Sequence, residues 1–169
     1  MLVFLVGYMG AGKSSIGTGL AKELGFRFVD TDSWIENRCC KSTTQIFEEF
    51  GEEYFRSKEK ECIEFLVDQD DVVIATGGGL ACNNNLMELM NVLGEVVYLK
   101  ASSSILVSRL SKELNKRPKL ANIQSEIELT TFVKTHLSER ECFYNLAKHI
   151  IEVANKTQSE IIKEVGLIL

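Results

Sequence analysis

The chain has 169 residues, of which 45% are hydrophobic and 25% charged, the composition of a single globular domain. Its net charge of −5 argues against an extended nucleic-acid surface, although a local basic site for an anion is compatible with it. The five cysteines form no Cys-x-x-Cys pair, and no segment approaches the roughly 18 apolar residues of a membrane span. We therefore expect reduced thiols, a cytoplasmic protein without nucleic-acid or membrane partners, and one domain over residues 1–169.

Short apolar runs alternate with longer segments of helical period, which predicts an α/β fold with a parallel sheet and crossover helices. The five predicted strands are Leu2–Val6, Phe26–Val29, Val72–Ala75, Val96–Leu99 and Ile150–Val153. The predicted helices cover Lys13–Leu24, Ser42–Gly51, Glu52–Val67, Asn85–Leu93, a segment capped by Ser102 or Ser103 and running to about Leu114, Ser125 to about Ala147, and a final segment around Ile161–Ile168.

The segment after the first strand, Gly7-Tyr-Met-Gly-Ala-Gly-Lys13-Ser14, matches G-x-x-x-x-G-K-[ST] between a strand and a helix. Its glycines let backbone N–H groups surround phosphate oxygens at the positive end of a helix. We expect ATP and Mg²⁺ as cofactors, with Lys13 bridging the β- and γ-phosphates and the Ser14 hydroxyl on the metal. The predicted loop contacts are Gly10, Ala11, Gly12, Lys13, Ser14 and Ser15.

Two carboxylates, Asp30 and Asp32, end the second predicted strand. The carboxyl ends of parallel strands form the ligand edge of such sheets, so both side chains are expected near the phosphate loop. One can reach Mg²⁺ through water while the other accepts a proton from an attacking hydroxyl, and the alternative is that they cap a helix. No aspartate ends the third strand, Val72–Ala75, which assigns the metal to Asp30.

Further candidates are a triple glycine and several arginines. Gly77-Gly-Gly79 follows the third strand and exposes backbone N–H groups to a ligand, or is a flexible turn. Arg56 begins a helix, where the dipole disfavours a cation, so it either binds a substrate carboxylate or forms a surface salt bridge. Arg117, in the longest irregular stretch, fits a lid over the phosphates. Arg109 and Arg140 are weaker candidates, because each is also compatible with a solvated surface.

Together these motifs resemble those of shikimate kinases, in order and spacing, over nearly the whole chain. The matching residues are Gly7–Ser14, Asp30-Thr-Asp32, Gly51-Glu-x-x-Phe55-Arg56, Gly77-Gly-Gly79, Arg117-Pro118 and Arg140-x-x-x-Tyr144. The resemblance implies a three-layer α/β/α P-loop kinase fold, with a substrate-binding helical region at residues 31–62 and a mobile lid at residues 112–124. It implies phosphorylation of the 3-hydroxyl of shikimate by ATP, giving shikimate 3-phosphate and ADP.

The resemblance also implies individual roles. Asp32 is the candidate base on the reacting hydroxyl, and Lys13 and Arg117 complete the catalytic set. Ser14 and Asp30 serve Mg²⁺. The implied substrate contacts are Asp32, Phe47, Phe55, Arg56, Gly77, Gly78, Gly79 and Arg140. Arg109 would flank adenine, with Asn155 or Lys156 in the adenine loop, where the match to the family is poor. Lys119 also departs from the family, which usually has leucine there.

Other functions are compatible with parts of this pattern. A gluconate or nucleoside monophosphate kinase shares the phosphate loop, and gluconate is also a hydroxylated carboxylate that arginines could bind. A regulatory module that only binds ATP would have no use for Asp32, Arg56 and Arg140 together. A GTPase is excluded because the chain has no Asn-Lys-x-Asp motif. The acidic charge and modest length lead us to expect a monomer.

Overall fold

The five apolar runs form one sheet, in which every neighbouring pair of strands is parallel. The computed structural model describes residues 1–83, 85–112, 120, 123 and 125–169. The strand order is β2-β3-β1-β4-β5, which confirms the predicted five-stranded parallel sheet. The strands are β1 (Leu2–Val6), β2 (Arg27–Asp30), β3 (Val72–Ala75), β4 (Glu95–Lys100) and β5 (His149–Glu152).

Seven α-helices and one short 3₁₀ helix at Leu80–Cys82 surround this sheet in the described residues. Every residue of β1 and β3 is buried, and successive residues of a strand point to opposite faces, so helices must cover both faces. The architecture is therefore the three-layer α/β/α arrangement. The helices are α1 (Lys13–Leu24), α2 (Thr31–Cys39), α3 (Thr43–Val67), α4 (Leu86–Leu93), α5 (Ser103–Leu110), α6 (Glu126–Tyr144) and α7 (Gln158–Ile168).

The predicted helix starts agree with the caps in the structure. Ser42 accepts from the backbone N–H of Gln45 in a reciprocal capping box, and Ser102 and Ser125 cap α5 and α6. The predicted division at Gly51 corresponds to a kink inside α3, where this glycine has φ 80° and ψ 175°. Only glycine adopts that conformation without strain, so the residue breaks the helix without ending it.

Several predicted boundaries were wrong, and the strands β2, β4 and β5 each differ from the prediction by one residue at both ends. The second strand begins at Arg27, because the N–H of Phe26 still bonds to Ala21 at the end of α1. Helix α5 ends at Leu110 and not at about Leu114, which lies outside the described residues. Helix α6 ends at Tyr144 and not at Ala147.

Helix α2 was not predicted as an element, and only the possibility of a cap was considered. The side chain of Asp30 accepts from the N–H groups of Asp32 and Ser33 and starts this helix directly from β2.

The strand order places three chemically important loops side by side. The carboxyl ends of β2, β3 and β1 are adjacent, and they lead into Asp30–Asp32, the triple glycine and the phosphate loop. None of the described helices has the length and apolar character needed to cross a bilayer. The fold thus brings the main sequence motifs to one edge of the sheet.

Candidate active site

The phosphate loop Gly7–Ser14 connects β1 to α1 through backbone conformations that favour glycine. Gly7, Gly10 and Gly12 have φ angles of 141°, 81° and 100°. A Cβ at Gly7 would lie only 2.8 Å from the backbone oxygen of Leu99, so a side chain there would collide with β4. The loop can therefore curve over the N-terminus of α1, which is the geometry that binds phosphate.

Lys13 is nearly buried inside this loop. Its ammonium donates to the backbone oxygens of Gly7, at 2.7 Å, and Tyr8, at 3.0 Å. These are neutral acceptors, and a phosphate oxygen is a stronger one because it is charged. The cation is thus held where a nucleotide phosphate can draw it away from the loop carbonyls.

The Asp30 carboxylate has two tasks, one for each oxygen. Its Oδ1 caps α2, as the alternative interpretation proposed, by accepting from the backbone N–H groups of Asp32 and Ser33 at 3.1 and 3.3 Å. Its Oδ2 accepts from the Ser14 hydroxyl at 2.7 Å, next to the phosphate loop. Capping and a metal-facing role are therefore compatible in this residue.

The pair formed by Ser14 and Asp30 fits Mg²⁺ by its chemistry. Both offer the hard oxygen atoms that Mg²⁺ prefers, and this ion commonly keeps several waters while bridging one or two protein groups to substrate phosphates. No group of three or more His, Cys, Asp or Glu side chains in the described parts of the chain could hold a metal by itself. The donor set suits a metal that arrives with a nucleotide.

Asp32 lies in the first turn of α2 and lines the same cavity as the phosphate loop. Burial and the neighbouring Asp30 charge raise the pKa of its carboxyl from 3.8 to about 6, although Lys13 and Arg56 act in the opposite direction. Among the described residues, none donates a hydrogen bond to this carboxylate. It is therefore a stronger base than an ordinary aspartate, and it can accept from a ligand.

Two of the three glycines leave room for side chains that pack against them. A Cβ at Gly77 would lie 2.5 Å from Asp32 Oδ1, and one at Gly79 would lie 2.8 Å from an Arg56 guanidinium nitrogen. The N–H of Gly77 donates to the Thr31 hydroxyl at 2.8 Å. These glycines let a carboxylate and a guanidinium approach the backbone beside the cavity.

Arg56 is held by two glutamates of its own helix, and its side chain is 14% exposed. Its Nη1 donates to Glu59 at 2.8 Å, and its Nη2 donates to Glu52 at 2.7 Å. Part of the salt-bridge alternative is thus correct. The guanidinium nevertheless lines the cavity beside the triple glycine, so it is not a solvated surface group.

Helix α6 contributes a second arginine and reaches two loops. Arg140 Nη1 and the Tyr144 hydroxyl both donate to the backbone oxygen of Gly78, at 3.1 and 2.5 Å. One turn earlier, the ring of His136 shares a hydrogen bond of 2.9 Å with the hydroxyl of Tyr8 in the phosphate loop. The helix therefore ties the triple glycine to the phosphate loop.

Most of the groups described above line one cavity of about 1190 Å³. That volume exceeds the roughly 300–1,000 Å³ of a typical single-ligand pocket, so there is room for a nucleotide beside a second small molecule. The predicted residues that the structure brings together here are Gly10, Ala11, Gly12, Lys13, Ser14, Ser15, Asp30, Asp32, Phe47, Phe55, Arg56, Gly77, Gly78, Gly79, Arg109, Arg140 and Lys156.

The apolar wall comes from α3, where the rings of Phe47 and Phe55 stack with centroids 4.6 Å apart. On the nucleotide side, Arg109 Nη1 donates to the backbone oxygens of Gly10 and Ala11 at 2.9 and 3.1 Å. This contact places the arginine against the outer face of the phosphate loop.

Two predicted residues are not part of this set. Asn155 is not among the residues that line the cavity, whereas its neighbour Lys156 lines it and pairs with Glu164 at 2.5 Å. Asn155 has a left-handed backbone conformation, with φ 57°, and lies in the connection between β5 and α7. Arg117 lies outside the described residues, as does most of the predicted lid at residues 112–124, of which only Lys112, Leu120 and Ile123 are described.

Among the cavity-lining residues that sequence reasoning missed, two make contacts that shape the site. Glu59, only 1% exposed, is the inner partner of Arg56, and the signal was its position one helical turn after the arginine. Gln158 lines the cavity and donates to the backbone oxygen of Ser15 at 2.7 Å, joining α7 to α1. Nothing in the local sequence pattern distinguishes Gln158 from an ordinary first-turn residue.

Comparison with known proteins gives a consistent result. The family model described as "Shikimate kinase" matches residues 9–168. A shikimate kinase of Azobacteroides pseudotrichonymphae is 43% identical over 162 residues, covering 95% of each chain. The crystal structure of shikimate kinase from Bacteroides thetaiotaomicron superposes with a TM-score of 0.92 at 32% identity, covering 99% of this chain and 97% of that one.

A further solved structure, shikimate kinase from Acinetobacter baumannii in complex with shikimate, has a TM-score of 0.88 at 30% identity. It covers 99% of this chain and 91% of that one. Because both the family model and these relatives extend over nearly the whole chain, the chain belongs to the shikimate kinase family.

Proposed function

We propose that the chain transfers the γ-phosphoryl group of ATP to the 3-hydroxyl of shikimate, giving shikimate 3-phosphate and ADP. The observation that carries this proposal is the composition of the cavity. A phosphate loop lies at one side, two arginines suited to a carboxylate lie at the other, and the Asp32 carboxylate lies in the same cavity. A phosphoryl donor and a hydroxylated anion can therefore meet at one base.

On the donor side, the loop N–H groups and Lys13 bind the phosphates and orient the γ-phosphoryl group. Ser14 and Asp30 would hold Mg²⁺, Asp30 through water. When bound, the ion neutralises charge on the β- and γ-phosphates. Arg109 flanks the adenine side, with Lys156 nearby. For Arg117, the sequence resemblance alone supports a role over the phosphates.

On the acceptor side, Arg56 and Arg140 bind the shikimate carboxylate, and the stacked rings of Phe47 and Phe55 form the apolar wall. Asp32 accepts the proton of the 3-hydroxyl as its oxygen attacks phosphorus. One oxygen–phosphorus bond forms to shikimate while the bond to the bridging oxygen of ADP breaks. Positioning and charge stabilisation supply most of the catalysis, since little covalent work falls to the protein.

We further propose a single domain that acts as a cytoplasmic monomer, with the substrate region at residues 31–62 and the lid at residues 112–124. Within the described residues, the cavity already combines the predicted donor and acceptor groups without a second copy of the chain. The five unpaired cysteines suit a reducing compartment.

A substrate-panel assay tests the proposed reaction. Purified protein with ATP and Mg²⁺ is expected to release ADP when shikimate is supplied, and to form shikimate 3-phosphate identifiable by mass spectrometry. Gluconate, also a hydroxylated carboxylate, serves as the control acceptor and is expected to give background release only. Equal turnover with gluconate, or none with shikimate, would reject the proposal.

A further inference from the structure

The guanidinium of Arg56 already binds a carboxylate oxygen along one of its edges. Both Nε, at 3.2 Å, and Nη2, at 2.7 Å, donate to the same oxygen, Oε1 of Glu52. Two N–H groups on one edge of a guanidinium form the fork that recognises carboxylates in proteins. Glu52 therefore occupies a binding edge of the arginine.

Two further contacts hold Arg56 in place. Its Nη1 donates to Glu59, whose side chain is 1% exposed and cannot leave without stranding a buried charge. The backbone of Gly79 lies against both terminal nitrogens, since a Cβ there would be within 3 Å of each. A ligand carboxylate that binds the Nε and Nη2 edge of this arginine must therefore displace Glu52.

The two glutamates differ in how easily they can move. The Glu52 side chain is 65% exposed, whereas that of Arg56 is 14% exposed, so the glutamate can move into water when the pair breaks. The Glu59 side chain, at 1% exposure, cannot reach water as the Glu52 side chain can. The pair with Glu52 is therefore exchangeable, whereas the pair with Glu59 fixes the arginine in place.

We propose that Glu52 is an internal stand-in for the substrate carboxylate: it occupies Arg56 in the free protein and is displaced when shikimate binds. This inference rests on the proposed role of Arg56 in holding that carboxylate. It makes Glu52 a specificity-determining residue, because a ligand must bring a carboxylate of its own to replace the one it removes. A neutral ligand of the same shape cannot compensate for the lost pair and stays outside.

The opposite effect of Glu52 is also physically reasonable, since it could assist binding by orienting the arginine. The two possibilities differ in sign. If Glu52 competes, its neutralisation tightens shikimate binding. If Glu52 orients Arg56, the same change weakens shikimate binding. Without Glu52, the arginine side chain is ordered only when the ligand binds, and the entropy cost of ordering it then reduces the affinity.

The test measures shikimate affinity by calorimetry for the wild type, Glu52→Gln and the matched control Glu53→Gln. Glu53 is the exposed neighbour on the same turn and carries the same charge. We expect Glu52→Gln to bind shikimate about two- to fivefold more tightly, and Glu53→Gln to bind as the wild type does. Weaker or unchanged binding by Glu52→Gln, or equal tightening in both variants, overturns the proposal.

A second ligand and a second background sharpen the result. The methyl ester of shikimate, which has no charge, is expected to bind the wild type far more weakly than shikimate does, and to recover part of its affinity in Glu52→Gln because the pair that it must break is weakened. In an Arg56→Ala background, Glu52→Gln is expected to have no effect on shikimate affinity, so a gain there would also count against the proposal. If the wild type phosphorylates shikimate but Glu52→Gln binds shikimate with unchanged affinity, only this inference is rejected. If the wild type does not phosphorylate shikimate, the proposed function is rejected together with this inference.

Discussion

Asp32 combines two properties that a base for phosphoryl transfer needs. With its pKa raised to about 6, its carboxylate remains ionised at neutral pH, yet it binds a proton more strongly than an ordinary aspartate. The cause is local, because burial and the Asp30 charge outweigh the attraction of Lys13 and Arg56. Gly77 contributes by leaving space for the carboxylate against the backbone.

This pKa predicts the pH dependence of the reaction. Because only the ionised form of Asp32 can accept the proton, kcat/KM for shikimate at saturating ATP and Mg²⁺ is expected to be level above about pH 7. It is expected to fall about tenfold per pH unit below about pH 6. Asp32→Asn is expected to lower kcat by about 10²–10⁴-fold with ATP affinity nearly intact. A wild-type profile level down to pH 5, or a comparable loss of ATP affinity, would contradict this assignment.

The same variant has a second readout with a defined sign. Because the folded protein raises the pKa of Asp32, ionisation costs folding free energy, and this cost grows as pH rises from about 4 to about 6. Asp32→Asn removes the cost. At pH 7.5 we expect the variant to be more stable than the wild type by about 3 kcal/mol in urea unfolding, and at pH 4 to be nearly equal to it.

At the scale of elements, helix α6 joins the two halves of the site. Its His136 contacts Tyr8 of the phosphate loop, and its Arg140 and Tyr144 contact Gly78. Tyr8 is 1% exposed and T-shaped against the His136 ring, so the contact is packed as well as hydrogen-bonded. The position of Arg140 over the cavity thus depends on a side chain of the nucleotide loop.

Removing one hydroxyl tests this connection. Tyr8→Phe is expected to lower the free energy of unfolding by about 1 kcal/mol and to raise KM for shikimate about two- to fivefold, because α6 loses a buried hydrogen bond that positions Arg140. Tyr98→Phe is the matched control, since Tyr98 is likewise 1% exposed but lies in β4 and not in the phosphate loop. A KM that does not change in Tyr8→Phe, or changes equally in both variants, would show that the contact serves stability only.

Periodicity and caps predicted the elements well where the signal is local. All five strands were found to within one residue at either end, because buried parallel strands are continuous apolar runs. Helix α2 was missed, since its hydrophobic face is short and its start depends on the Asp30 side chain. The ends of α5 and α6 were missed because neither helix stops at glycine or proline.

For the site, sequence order and resemblance predicted which residues meet but not how they contact one another. The cavity contains the predicted residues of the phosphate loop, Asp32 and Arg56, because parallel strand ends lie at one edge of the sheet. The pKa of Asp32 and the burial of Glu59 arise from packing between elements, which no local pattern encodes. Gln158 was not predicted either, because its hydrogen bond to the backbone of Ser15 joins residues that are far apart in sequence.

At the scale of the whole molecule, stability is concentrated in the centre of the sheet. Strand β1 lies between β3 and β4 with every residue buried, whereas β5 is an edge strand and leaves Ile150 46% exposed. Hydrophobic residues of similar size therefore contribute unequally, according to the strand that carries them.

A pair of substitutions measures this difference. Leu5→Ala in β1 is expected to lower the free energy of unfolding by about 2–5 kcal/mol, because it leaves a cavity in a fully packed layer. Ile150→Ala in β5 is expected to lower it by less than about 1 kcal/mol, because half of that side chain already contacts water. Urea unfolding of both variants checks the values. Equal losses would show that the core does not follow the strand order.

The contact between His136 and Tyr8 joins residues 128 positions apart, and the contact between Arg140 and Gly78 joins residues 62 apart. The phosphate loop and the metal-facing Asp30, by contrast, lie within residues 7–30. During synthesis from the N-terminus, this segment leaves the ribosome long before α6 can reach it. A nascent chain therefore carries its phosphate loop well before the helix that joins it to the triple glycine, and a chain loop of 128 residues must close before that contact forms.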